Sequence, residues 1–131
     1  GFFAYKEDID VAWRSQLRGW NAVFLPEALG YHERGWKEGE RRQRPLFIRK
    51  HSYINRYRMI IKNDSSRYIL KHLLPIFLFE GASFAYHLLR EPRVLTAWLD
   101  LWSDRALLWE QRKWIQKHRR ADYRSIYRFF E

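Results

Sequence analysis

The feature that most constrains this chain is the apolar stretch from Leu73 to Leu89, whose side chains need shielding from water. Pro75, Glu80 and Gly81 interrupt it. Its 17 residues fall short of the roughly 20 that a helix needs to cross a bilayer. Glu80, near its middle, would cost about 3 kcal/mol at membrane depth unless paired. The stretch therefore reads as a helix, whole or broken, lying in a membrane interface rather than as a clean span.

Its neighbours are helical and basic. Leu46 to Asn63 reads as an amphipathic helix, with Phe47, Ile54, Tyr57 and Ile61 on one face. Arg49, Lys50, Arg56, Arg58 and Lys62 surround that face. Asn63-Asp64-Ser65-Ser66 is a break with helix-capping chemistry. Past Arg90-Glu91-Pro92, Val94 to His118 reads as one long helix, with Leu95, Trp98, Leu101, Trp102, Leu108 and Trp109 opposite Asp100, Asp104 and Gln111. A basic tail from Lys117 to Asp122 leads into a last short helix ending at Glu131. Seven Trp and 18% aromatic residues demand apolar burial somewhere, and 47% hydrophobic content excludes simple disorder. With no cysteine, disulfide scaffolds and cysteine metal sites are excluded.

The formal charge of +10 is unevenly spread. Residues 1–32 are slightly acidic, with Lys6, Arg14 and Arg18 against Glu7, Asp8, Asp10 and Glu27. From Arg34 to Lys62, ten basic residues face only Glu38 and Glu40. A basic body of this kind suits nucleic acid, an anionic membrane surface or an anionic substrate. Arg and Lys interleaved with aromatics can bind single-stranded nucleic acid. The Leu73–Leu89 run would be an odd surface for that partner, so an anionic membrane is favoured and no nucleic acid is expected. A basic helical nucleic-acid-binding or interaction module without catalysis is the alternative.

The acidic start is where chemistry concentrates. Asp8 to Leu17 reads as a short helix, with acids in its first turn and Gly19 at C′. Ala22 to Leu25 is a strand-like run stopped by Pro26, and Ala28 to His32 resumes extended structure. The boundary is placed in the turn-rich, charged segment before Pro45, giving segments 1–45 and 46–131. Clustered carboxylates at a helix start can cap it or act as a general base. A histidine such as His32 can ligate a divalent metal or contact phosphate. The opening Gly-Phe-Phe-Ala-Tyr has no signal-peptide pattern and reads as the middle of a longer chain.

Taken in order, Tyr5-Lys6-Glu7-Asp8-Ile9-Asp10-Val11-Ala12-Trp13-Arg14, Leu17-Arg18-Gly19-Trp20, Val23-Phe24-Leu25-Pro26-Glu27-Ala28 and Tyr31-His32 resemble the C-terminal part of the GT-A domain of family-2 glycosyltransferases, rhamnosyltransferase-like branch. The resemblance continues loosely through Arg56 to Asn63 and as far as Arg119-Arg120. It implies a fold of an α/β GT-A edge (1–45) followed by a mainly α-helical, amphipathic, membrane-associating extension (46–131). It implies inverting transfer of a sugar from a nucleotide-sugar donor to a lipid-linked or polysaccharide acceptor, at the cytoplasmic face of the cell membrane. Asp8 would be the base, Glu7 an acceptor-positioning carboxylate, Trp13 and Arg14 a substrate-binding brace, and His32 a ligand of Mg2+ or Mn2+ or of the donor diphosphate. The Asp8-Ile9-Asp10 triplet belongs to the acceptor side, and no donor Asp-x-Asp motif precedes it. The chain by itself is therefore expected not to turn over.

Overall fold

A computed structural model describes residues 5–31 and 40–128 of the chain. Helix α1 spans Glu7–Leu17, α2 Leu46–Asn63, α3 Ser66–Lys71, α4 Leu73–Arg90, α5 Ala97–Ser103, α6 Arg105–Lys117 and α7 Tyr123–Tyr127. Two 3-10 turns, Glu40–Gln43 and Pro92–Thr96, lie between them.

The α/β edge expected for residues 1–45 is not present. The described residues are 75% helical and contain no strand. The run from Ala22 to Leu25 and the residues from Ala28 to Tyr31 are irregular, with Val23, Phe24, Leu25 and Leu29 exposed. An extended segment becomes a strand only when a neighbour supplies the ladder. Among the described residues none lies alongside this one. Its propensity is strand-like, its setting is not.

α2 organises the packing. It contacts α1, α5, α6 and the Pro92–Thr96 turn. One core joins Tyr53 and Ile54 of α2 to Val94, Ala97, Leu101 and Leu108, with Tyr57 and Ile61 packed against it. Phe47, expected on the same face, is exposed. A second core joins Leu17 of α1 to Ile115, Tyr123 and Ile126, flanked by Trp13, Tyr68 and Tyr127. Residues from the acidic start and from the basic body thus share one apolar cluster.

The helix ends follow local rules in part. α1 closes with Gly19 at φ +79°, Gly19 N–H donating to Gln16 O and Trp20 N–H to Ser15 O. That is the paired bonding of a helix ended by a left-handed glycine. The long helix expected from Val94 to His118 is instead a 3-10 turn followed by α5 and α6. The helix is interrupted at Asp104, whose N–H still bonds Asp100 O while its C=O accepts from Leu108. Lys50 holds Asp100 at 2.7 Å and Arg58 holds Asp104 at 2.5 Å, tying the interruption to α2. The stripe is split accordingly: Leu101 and Leu108 are buried, Trp102 and Trp109 exposed.

α4 runs unbroken through Pro75, which sits in the first turn where its missing N–H is no loss. Its polar residues face inward. Glu80 accepts from Arg56 at 2.6 Å and from the Tyr57 hydroxyl, and Ser83 receives a weak bond from Arg56. His87 is buried against the Tyr53 ring, with centroids 4.4 Å apart. Leu74, Phe77, Leu78, Leu88 and Leu89 are all exposed. The helix is apolar outward and polar inward. No described helix is long and apolar enough to cross a membrane.

Candidate functional site

The three carboxylates of the acidic cluster part company. At about 100° per residue, Asp10 and Leu17 fall on one side of α1 and Asp8 nearly opposite. Asp10 is 1% exposed. Its Oδ2 accepts from Arg14 Nε at 2.9 Å and from Lys62 Nζ at 3.1 Å, and its Oδ1 from Asn63 Nδ2 at 2.7 Å. Lys62 is buried too, and burial pulls its ammonium below the ordinary 10.5, with Asp10 opposing. Asp10 is therefore a buried anchor between α1 and α2, held by charge on both sides.

Asp8 is exposed, and its Oδ1 accepts from Ile9 N–H at 2.8 Å. Neither Asp8 nor Asp10 caps the helix: the N-cap position is Lys6, with no side-chain cap bond. Glu7 is exposed and lines a groove of about 360 Å³ with Val11, Arg14, Lys62, Gln111 and Trp114. Glu7 and Arg14 thus meet at one groove, while Asp8 stands on the far face of the helix. Trp13 packs beside the second core and borders an apolar hollow of about 340 Å³ with Ile9, Ala12 and Ile126. Its indole N–H is buried without a hydrogen-bond partner among the described residues. His32 lies outside the described residues.

The backbone entering the cluster is strained. Tyr5 and Lys6 adopt φ of +65° and +70°, which costs on the order of 1–3 kcal/mol each for residues other than glycine. Asn55, fully buried on α2, donates to the Tyr5 carbonyl at 3.1 Å. Its Oδ1 accepts from Arg58 at 3.0 Å, and Arg58 is the partner of Asp104. The turn that presents Glu7 and Asp8 is thus tied through Asn55 and Arg58 to α5 and α6.

The anchors Asn55, Lys62 and Asn63 were not visible as site residues, because Lys62 and Asn63 reach Asp10 across 52 and 53 positions. The available signal was the spacing of Asn55, Met59, Lys62 and Asn63, which puts four buried residues on one face of α2. Among the described residues no three His, Asp or Glu side chains gather, and Asp10 is already engaged by two cations.

Fold and site together define a mainly helical, basic protein whose first helix carries one buried and two open carboxylates. No protein-family model, curated protein or solved structure matches the chain.

Proposed function

We propose that this chain supplies the acceptor-side element of an inverting glycosyltransferase acting on a lipid-linked or polysaccharide acceptor at the cytoplasmic membrane face. The observation that carries the reading is the division within the Glu7-Asp8-Ile9-Asp10 cluster. Asp10 is committed to holding α1 on α2, whereas Asp8 stands open at the helix start. In the proposed step the Asp8 carboxylate takes the proton of an acceptor hydroxyl. That oxygen forms its bond to the anomeric carbon of the donor as the bond to the diphosphate oxygen breaks, the diphosphate leaving with the electron pair. Glu7, one residue earlier, orients the acceptor, and Arg14 with Trp13 braces the helix. If a divalent ion serves the donor, His32 is the residue of this chain that would hold it.

The membrane part of the reading is supported by α4, which turns Glu80, Ser83 and His87 inward and its leucines and phenylalanines outward. That arrangement suits a helix lying half-sunk in lipid. The catalytic part is tested in a polypeptide that carries this chain together with its donor-binding half. Asp8→Asn is expected to lower transfer at least ~100-fold while donor binding persists. Turnover surviving that substitution would remove Asp8 as the base.

A further inference from the structure

We infer that the recess between α3 and the start of α7 is a binding site for a phosphate monoester or diphosphate, presented by a lipid headgroup. The recess has a volume of about 670 Å³ and is bordered by Arg67 and Lys71 of α3 and Arg124 of α7. Ser65 adds a hydroxyl, and Asp122 is the one carboxylate among the described lining residues. Arg67, Lys71 and Arg124 against Asp122 give that lining a formal surplus of positive charge, which suits a phosphate dianion.

The setting is what separates this cluster from an ordinary basic surface. Four cations of α2 are held, Arg49 by Glu91, Lys50 by Asp100, Arg56 by Glu80 and Arg58 by Asp104. Arg67 and Arg124 form no ion pair and no side-chain hydrogen bond among the described residues. They stand around a fixed floor. Tyr123 donates to Asn63 O at 2.6 Å, and Tyr68 is stacked on Tyr127 with centroids 4.0 Å apart. A preformed aromatic floor with exposed guanidinium groups at its edge suits an anion that brings its own oxygens.

The source of the phosphate follows from the next turns of chain. Leu70, three residues after Arg67, and Leu73 and Leu74 beyond it are exposed and begin the outward apolar face of α4. A ligand with its phosphate in the recess and a hydrocarbon chain along Leu70, Leu74 and Phe77 would satisfy both surfaces. The lipid source rests on the proposed reading of α4; the phosphate site does not.

The test floats the protein with phosphatidylcholine vesicles carrying phosphatidic acid, a monoester, or phosphatidylglycerol, a diester, at matched surface charge. Inorganic pyrophosphate binding is followed separately by calorimetry. Preference for the monoester vesicles is expected, falling roughly tenfold in R67Q/K71Q/R124Q. R93Q/K113Q/K117Q, which removes the same charge outside the recess, should keep the preference. Pyrophosphate binding that the recess variant loses, with no flotation on any vesicle, would keep the phosphate site and reject its lipid source along with the reading of α4. Equal flotation on both headgroups with no pyrophosphate binding would overturn the site and leave α4 as a membrane face. A single-stranded oligonucleotide bound more tightly than either phosphate probe, through the same three residues, would overturn the monoester assignment.

Discussion

Asp10 is the acid of the cluster that holds α1 on α2. The Asp10→Asn variant keeps the shape but removes the Asp10 charge from Lys62, a buried ammonium. Removing one partner of a buried pair costs about 3–5 kcal/mol. Urea denaturation of this variant should therefore show a loss of that order, and D10N/K62M should recover much of it, because the stranded charge is gone. A loss under about 0.5 kcal/mol would show that Asp10 does not anchor α1. Helical spacing already sets Asp8 and Asp10 on opposite faces of α1. What spacing does not reveal is that Lys62 and Asn63 engage Asp10, because they lie 52 and 53 positions away. The apolar packing of Trp13 was legible, because it recurs with Leu17 at helical spacing and both join the second core.

At the scale of the element, α4 carries the most consequential reversal. A surface helix in water buries its apolar stripe and exposes its polar one. α4 does the opposite, with Glu80 tied to Arg56 and His87 sealed beneath the Tyr53 ring. The pairing of Glu80 answers the cost that an unpaired acid would impose within lipid. F77S/L78S should leave thermal stability unchanged, since Phe77 is 71% and Leu78 62% exposed. It should at the same time reduce flotation with anionic vesicles several-fold. Lower stability with unchanged flotation would mean that this face packs against protein. Helices α1 and α2 were legible almost to the residue, because periodicity and terminal signals agree there. The interruption at Asp104 was not, because no breaker residue marks it and the ion pairs beside it come from Lys50 and Arg58, far back in the chain.

For the molecule as a whole, the expectation of an α/β edge failed for a reason that local sequence does not contain. Val23, Phe24 and Leu25 have the residue types of a strand, but strand formation is decided by a partner. The helical body, by contrast, was legible because each helix satisfies its own backbone bonds. The tie that completes the body is the Leu17 carbonyl, which accepts from both Arg120 N–H at 2.9 Å and Ala121 N–H at 3.1 Å. A chain ending at Lys117 lacks these donors together with Tyr123 and Ile126. In such a chain, hydrogen exchange at the amides of α1 should speed up markedly, while the amides around Tyr53 and Ile54 stay protected. Equal protection in both would show that α1 locks without the tail.

The same tie sets a timetable for synthesis. Translation proceeds at about 5–20 residues per second, so roughly 5–20 seconds separate the appearance of Leu17 from that of Arg120. Throughout that interval α2 can already take Asp10 and the Tyr5 carbonyl, but the Leu17 carbonyl lacks both of its donors. The first helix is therefore seated in two instalments, its acidic start when α2 emerges and its end only when the tail does.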